Sequence, residues 1–214
     1  MQYVLDQDFK EILLSDQKEQ VMMEWERPYM EACIDLLKPK GDVLEIGFGC
    51  GYSANHIQNY NPKSHTIIEC DDVVLKKLKK WAKDKPNVKI VKGKWQSVIH
   101  QLGIFDEIFM DDSSNSDILV SRRRFQLFID ICVQNHTRIG SKISGYLNGN
   151  EKIQLSSDSE PFAKVESKSI DIEIPMNCKY RNISEQVCKV PLITKIKEFD
   201  FYEASRYALN QLKN

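Results

Sequence analysis

The stretch from Asp42 to Tyr52 reads DVLEIGFGCGY and joins a hydrophobic run directly to three closely spaced glycines. Val43, Leu44 and Ile46 have the apolar character of a short buried strand, and the glycines after them predict a tight turn. A turn without side chains lets the backbone touch a ligand, and residues 53–58 can begin a helix whose first amide groups point into that turn. The stretch therefore predicts a ligand-binding turn between a strand and a helix.

The spacing of the glycines distinguishes between two kinds of cofactor. The dinucleotide fingerprint has glycines at its first, third and sixth positions, whereas the sixth position here is Tyr52. Glu45, followed by Gly47, Gly49 and Gly51, instead resembles motif I of class I methyltransferases that use S-adenosylmethionine (SAM), in which the glycines lie beside the aminocarboxypropyl part of the cofactor. On this motif alone, a SAM site and a merely tight connection stay equally open.

Length and composition narrow the class of protein. The 214 residues fit one large domain, and the 42% hydrophobic and 29% charged residues are ordinary globular values. A net charge of −1 argues against a strongly electrostatic nucleic-acid binder, and the run Arg122–Arg124 is expected to be a solvated helix face. The six cysteines include no Cys-x-x-Cys pair, so no metal site is predicted. Without a leader sequence or an apolar span of ~18 residues, we expect a cytoplasmic protein that does not contact membranes.

Hydrophobic strands and amphipathic helices alternate along the rest of the chain. Residues 1–20 are expected to be a cover segment with a short amphipathic helix over residues 6–20, and residues 21–214 a single domain. Pro28 is placed to begin a helix that continues to Leu37. Alternating strands and helices, followed by a strand pair, predict an α/β fold with a mostly parallel sheet and an antiparallel edge. The later predicted strands are His65–Cys70, Val88–Lys92, Phe105–Asp111, Gly140–Leu147, Val165–Ile174 and Val190–Ile196, and the later predicted helices are Val73–Lys83, Ile118–Thr137 and Phe201–Leu212.

Carboxylates close three of these strands, at Glu45, Glu69 and Asp111. Ligands of open α/β sheets gather outside the carboxyl ends of the strands, and an acidic residue about 20 positions beyond the glycines can bind ribose hydroxyls. Glu69 meets that requirement, whereas Asp71 and Asp72 are typical of a helix N-cap and first turn. Three carboxylates at one rim of the sheet therefore predict a binding site, with an ordinary strand end as the alternative for Glu69.

An aromatic residue follows the strand Val88–Lys92. Trp95 is placed to stack on an adenine ring, and Gln96 to accept a hydrogen bond from the exocyclic amine. Packing of Trp95 under a loop is the alternative that the sequence leaves open.

Seven segments together resemble, in order, the guanidinoacetate N-methyltransferase family, which also includes fungal and plant-type arginine N-methyltransferases. The similarity covers residues 20–197, and the first and last segments are much more specific than motif I alone. It implies the class I methyltransferase (Rossmann-like) fold, with a mostly parallel seven-stranded sheet, an antiparallel C-terminal strand and helices on both faces. The segments are VMMEWERPYM (21–30), VLEIGFG (43–49), IIECDD (67–72), KGKW (92–95), FDEIFMDD (105–112), NCKY (177–180) and VPLITK (190–195).

The resemblance also implies roles for individual residues. Glu26 falls at the family's substrate carboxylate, which holds the guanidino group, and Asp111 at the second carboxylate, which also acts as base. Glu69 falls at the family's residue that binds the cofactor ribose. The residues expected to bind SAM, with S-adenosylhomocysteine as product, are Glu45, Gly47, Gly49, Gly51, Glu69, Cys70, Trp95, Gln96, Met30 and Asp111.

The chemistry of a guanidino group supports this assignment. A guanidinium has a pKa above 12 and a planar fork of donors, so paired carboxylates recognise it well. A carboxylate aligned with an N–H can take the proton as the methyl group is transferred.

The chain also departs from the family. A His-x-His-x-Phe cluster is usual on the helix after strand four, and the matching segment here is Ser121–Phe125, in which only the phenylalanine is retained. Gln96 replaces an acidic residue, and the segment 145–150 differs from the family's substrate-facing loop. The acceptor therefore does not follow from the resemblance.

The sequence features are compatible with three functions. The first is methylation of a guanidino nitrogen in a small, guanidinoacetate-like molecule, with arginine in a protein as a close variant. The second is a catalytically weak or silent SAM-binding protein, motivated by the missing histidines. The third, nucleic-acid methylation, has only Arg122–Arg124 behind it and no basic groove with aromatic residues. Oligomeric state and the identity of the acceptor are not encoded in any of these patterns.

Overall fold

The computed structural model describes residues 1–112, 118–147, 153–182, 184 and 186–211. Seven of its strands form one sheet, and they are β4 (Asp42–Ile46), β5 (Ser64–Glu69), β6 (Val88–Lys92), β7 (Phe105–Met110), β8 (Thr137–Gly145), β9 (Ala163–Asp171) and β10 (Val187–Lys195). Their order across the sheet is β6-β5-β4-β7-β8-β10-β9. All pairs are parallel except those of β10, which runs antiparallel to both β8 and β9. The antiparallel strand is thus the last in the chain, as predicted, and it lies one place in from the edge.

Six α-helices connect or flank these strands. The bounds of five of them lie within a few residues of their predictions, and the short helix Trp95–Val98 was not predicted. Asp71 caps the helix Asp72–Ala82 by accepting hydrogen bonds from the N–H groups of Val73 and Val74 at 2.9 and 3.1 Å. Two apolar clusters, one around Tyr29 and Phe48 and the other around Phe128, form the core. No helix of the described residues is both long and apolar enough to cross a membrane. The helices are α1 (Arg27–Leu37), α2 (Tyr52–Asn59), α3 (Asp72–Ala82), α4 (Trp95–Val98), α5 (Ile118–Asn135) and α6 (Phe201–Gln211).

The prediction of a helix over residues 6–20 is wrong. This region belongs to a separate three-stranded antiparallel sheet of β1 (Gln2–Leu5), β2 (Glu11–Leu14) and β3 (Gln20–Met23). The side chains of Asp6 and Ser15 each accept two backbone N–H groups, two and four residues ahead, at 2.9 to 3.2 Å. Such side-chain bonds stabilise turns at the expense of a helix. Ile12 and Leu13 are consequently buried in a strand.

Candidate active site

A cavity of about 510 Å³ opens at the carboxyl ends of the central strands. Gly47 and Gly49, which follow β4, form its floor, and both have positive φ angles, of 81° and 50°. A Cβ atom at Gly47 would stand 2.2 Å from the carbonyl oxygen of Asp111, so the backbone reaches this position only as glycine. Residues of the small sheet, including Leu13 and Met22, form another wall.

Glu69 holds the glycine turn in place from the end of β5. One carboxylate oxygen accepts the N–H of Phe48 at 3.0 Å, and the other accepts the N–H groups of Cys70 and Asp71 at 2.7 and 2.8 Å. Glu69 and Cys70 both line the cavity. The carboxylate thus sits where the sequence places it, and its additional bond to a ribose stays a prediction.

Three residues that were predicted to bind the cofactor lie away from the cavity wall. Glu45 is fully buried, accepts a hydrogen bond from Ser53 and lies 2.8 Å from His65 Nε2. Met30 is fully buried in the apolar core, and Gly51 precedes α2 with a φ of 85°. None of the three is among the residues that line the cavity, and their contacts with the cofactor stay a prediction.

Trp95 and Gln96 do line the cavity. Trp95 is only 3% exposed, because its ring meets Phe128 edge to face with centroids 5.2 Å apart. Its indole N–H donates to Asp112 at 2.7 Å. Most of the Trp95 ring is therefore used for packing under the helix α5, whereas the sequence left packing under a loop as the alternative. Stacking on adenine stays a prediction.

Arg124 is a cavity residue that the sequence reasoning missed. Its guanidinium pairs with Asp112, and both residues line the cavity. The expectation of a solvated face fits Arg123, which is exposed, and is wrong for Arg124. The side chain of Arg122 lies outside the described residues. The pairing could be anticipated only from the acidic residue after β7, since the two partners are 12 positions apart.

Glu26 and Asp111 form the electrostatic centre of the site. Glu26 ends the short 3-10 turn Glu24–Glu26, is 2% exposed, and accepts the N–H of Met23 at 2.8 Å. Burial raises its pKa to about 7, against the opposing effects of the Met23 N–H and the hydroxyls of Tyr180 and Tyr146. Burial also raises the pKa of Asp111 well above its ordinary range, and the charge of Glu26 raises it further. Each carboxylate therefore disfavours ionisation of the other, and a bound cation would relieve both.

Aromatic residues enclose Glu26. The ring centroids of Trp25 and Tyr180 are 5.9 Å apart, and those of Tyr29 and Tyr146 are 5.3 Å apart. Tyr29 anchors the group, since its hydroxyl donates to the Lys189 carbonyl at 2.8 Å. Aromatic faces beside a carboxylate favour a planar organic cation. The sequence pointed to this wall through two of the matching segments, 21–30 with Trp25 and Tyr29, and 177–180 with Tyr180.

The described residues contain no group of three or more His, Cys, Asp or Glu side chains placed to hold a metal ion. The site therefore offers glycine backbone, carboxylates and aromatic faces as its binding groups.

Comparison with known sequences gives consistent matches. The sequence model of the family described as guanidinoacetate N-methyltransferase matches residues 8–150. Protein arginine N-methyltransferase 2 from Candida glabrata is 35% identical over 186 residues, which are 79% of this chain and 42% of the relative. Its namesake from Yarrowia lipolytica is 34% identical over 133 residues, 54% of this chain and 28% of the relative. The chain thus corresponds to less than half the length of either fungal protein.

Two solved methyltransferase structures share the fold at low sequence identity. The 23S rRNA methyltransferase ErmE superimposes with a TM-score of 0.60 at 14% identity, over 85% of this chain and 73% of that one. The putative methyltransferase yhhF from Escherichia coli gives a TM-score of 0.58 at 14% identity, over 89% of this chain and 94% of that one. These similarities establish the class I methyltransferase fold.

Proposed function

Because the chain belongs to the guanidinoacetate N-methyltransferase family, we propose that it transfers the methyl group of SAM to a nitrogen of a guanidino group. The observation that supports this best is the pair of carboxylates Glu26 and Asp111, whose pKa values are both raised by burial. A guanidinium is permanently charged and presents N–H groups on two edges. Two carboxylates at one cleft match both properties.

The cavity fits SAM in size and in chemistry. Its volume of about 510 Å³ lies within the range of small-molecule sites. Gly47 and Gly49 leave room for the amino acid part of the cofactor, and Glu69 and Cys70 stand where the ribose would lie. The apolar side chains of Ile46 and Ile68 form part of the wall. When bound there, SAM supplies an electrophilic methyl group on a sulfonium.

The two carboxylates have different parts in the proposed reaction. Asp111 lines the cavity and Glu26 does not, so Asp111 is the carboxylate nearer the cofactor. With its pKa raised well above the ordinary value, Asp111 is suited to accept the proton that the nitrogen loses as the N–C bond forms. Glu26 holds the opposite edge of the guanidinium and keeps the nitrogen in line.

The acceptor that the relatives support is arginine in a protein. Both fungal proteins carry the name protein arginine N-methyltransferase 2. This name agrees better with arginine in a protein as the acceptor than with the small guanidino molecule that the sequence favours. The small guanidino compound remains the second candidate, because Glu26 is 2% exposed behind aromatic side chains and only a slender group can reach it.

Methyl transfer to matched acceptors tests the proposal. The purified chain is given SAM with a labelled methyl group, together with guanidinoacetate, free arginine, an arginine peptide, or the same peptide with lysine in place of arginine. We expect transfer to a guanidino acceptor, none to the lysine peptide, and a large loss of rate in Asp111→Asn. SAM binding by calorimetry without transfer to any guanidine would instead support a silent relative.

A further inference from the structure

Two hydrogen-bond donors converge on one oxygen of Asp112 in the wall of the cavity. Asp112 follows Asp111 after β7, and its Oδ2 atom accepts the indole N–H of Trp95 at 2.7 Å and an N–H of the Arg124 guanidinium. Asp112 and Arg124 both line the cavity, and their side chains are 17% and 34% exposed. The carboxylate is therefore fixed in orientation and still open to the cavity.

The same two donors occupy the side-chain oxygen of Gln96. With its amide turned so that the oxygen faces them, Gln96 accepts from Trp95 Nε1 and from Arg124 Nη2, both at 3.1 Å. An amide oxygen has two lone pairs, so both are then in use. A further donor at this end of the cavity would have to bind to another group.

The second oxygen of Asp112 can bind such a donor. An ionised carboxylate has about four lone-pair sites, and in the part of the chain that the structure describes the hydrogen bonds to Asp112 reach only Oδ2. Because a guanidinium and an indole N–H hold this carboxylate, it serves as an acceptor and not as a donor. Oδ1 is therefore suited to a ligand group that carries N–H bonds.

Asp112 lies at the nucleoside end of the cavity. Burial raises the pKa of Cys70, and the charges of Glu69 and Asp112 raise it further, so the Asp112 carboxylate is close to Cys70. Cys70 follows Glu69, where we place the ribose, and both line the cavity together with Trp95. At this end of SAM, the group with N–H donors is the 6-amino group of adenine.

We propose that Asp112 accepts a hydrogen bond from the 6-amino group of the cofactor's adenine, and that Arg124 positions Asp112 for this contact. The inference rests on the proposed function, because it requires that SAM occupies the cavity. A base with an oxygen at the same ring position would bring that oxygen against the carboxylate, which repels it. Asp112 thus selects the base, and Arg124 acts through Asp112 as a positioning residue.

Calorimetric titration with two nucleosides tests this assignment. They are S-adenosylhomocysteine and S-inosylhomocysteine, in which an oxygen replaces the 6-amino group, and each is titrated into the wild type, Asp112→Asn, Arg124→Met and Arg123→Met. Arg123 is exposed next to Arg124, so Arg123→Met controls for the loss of one positive charge. A hydrogen bond to a charged group changes affinity by roughly 10- to 100-fold, and we expect the wild type to prefer the adenosyl compound by that factor.

Asp112→Asn preserves the shape of the side chain and should shift the selection toward the inosyl compound. Because Trp95 and Arg124 both donate at the position of Oδ2, the amide oxygen takes that position and the NH2 group takes that of Oδ1. The variant then presents a donor to the base. It should bind the inosyl compound more tightly than the wild type does, and its preference for the adenosyl compound should fall at least about tenfold.

Arg124→Met should lower the preference at least about threefold, because Asp112 loses one of the two bonds that hold it, while Arg123→Met retains the preference. Equal affinity of the wild type for the two nucleosides would overturn the inference without any variant. An undiminished preference in Asp112→Asn, or the loss of both ligands in that variant, would overturn it as well. An undiminished preference in Arg124→Met would remove Arg124 from the positioning role. If the wild type bound neither nucleoside, the proposed function itself would be contradicted.

Discussion

Replacing Glu26 by glutamine removes one buried charge while preserving shape and the hydrogen bond accepted from the Met23 N–H. The pKa of Glu26 rises from an ordinary 4.5 to about 7 in the folded protein. A pKa difference of one corresponds to a free-energy difference of about 1.4 kcal/mol. Ionisation of the Glu26 carboxyl therefore lowers the free energy of unfolding by about 3 kcal/mol. Because the folded-state pKa lies above the unfolded one, this cost is absent below pH 4.5, grows between pH 4.5 and 7, and is complete above pH 7. The charge of Glu26 also raises the pKa of Asp111, so its removal relieves that residue too.

We therefore expect Glu26→Gln to gain stability relative to the wild type as pH rises, by about 3 kcal/mol between pH 4.5 and 8. The assay is the free energy of unfolding from urea titrations at five pH values across that range. Glu24→Gln is the matched control, because Glu24 is on the surface with Lys10 and Arg27 as ion-pair partners at 3.6 and 3.3 Å. Surface pairs contribute at most about 1 kcal/mol, so this control should differ little from the wild type throughout.

The same variant should bind a guanidino acceptor at least about tenfold more weakly, since an amide loses the charge pairing with the guanidinium. Higher stability with weaker binding is typical of a site whose charges are held at a cost. If the stability difference between Glu26→Gln and the wild type stayed constant from pH 4.5 to 8, the raised pKa of Glu26 would be wrong. The electrostatic argument for the carboxylate pair would then fail.

Four further outcomes are expected. Glu69→Ala should weaken SAM binding at least about tenfold in calorimetry, because its carboxylate holds one backbone N–H of the glycine turn and two of the segment after β5; unchanged affinity would remove Glu69 from the site. Asp111→Asn should leave SAM affinity within about threefold and reduce methyl transfer by about 10²- to 10⁴-fold, and a wild-type rate would contradict its role as base. Gly47→Ala should unfold at a lower urea concentration, because the φ of 81° and the 2.2 Å approach of the added atom to a carbonyl oxygen cost at least about 1 to 3 kcal/mol of unfolding free energy. The control is Gly103→Ala, in which nothing lies within 4 Å of the added atom. Its free energy of unfolding should change by less than about 1 kcal/mol. The kcat/KM for a guanidino acceptor should rise as the pH increases through about 7, because Glu26 ionises there and Asp111, whose pKa is also raised well above its ordinary value, must ionise to accept a proton; a profile that is flat from pH 5 to 8 would contradict both assignments.

The central strands and their connections were predictable because local pattern and tertiary environment agree there. Val43, Leu44 and Ile46 are apolar and lie in the middle of the sheet, so burial on both faces matches their composition. Asp71 caps α3 as predicted, because a cap depends only on the next few residues.

The N-terminal sheet was mispredicted for a local reason that can be recognised afterwards. Apolar residues near positions 9 to 13 fit a helical period, but Asp6 and Ser15 each begin a turn closed by their own side chains. Those hydrogen bonds stabilise the turns more than a weak amphipathic pattern stabilises a helix over so short a segment. Trp95 was ambiguous for a different reason, since only the position of Phe128, 33 residues later, decides how much of its ring is covered.

The sequence by itself determined the class of protein: one strand followed by glycines at alternate positions, carboxylates at the ends of three strands, and specific segments that together indicate a family. These features depend on neighbours along the chain and on the shared direction of parallel strands. Only the tertiary structure decided that Glu45 lies behind the turn, that Arg124 reaches the cavity, and that Arg181 stands beside Glu26. Those placements depend on which distant segments pack together and on which charged side chains are buried side by side. The residues next to each of them along the chain do not encode either.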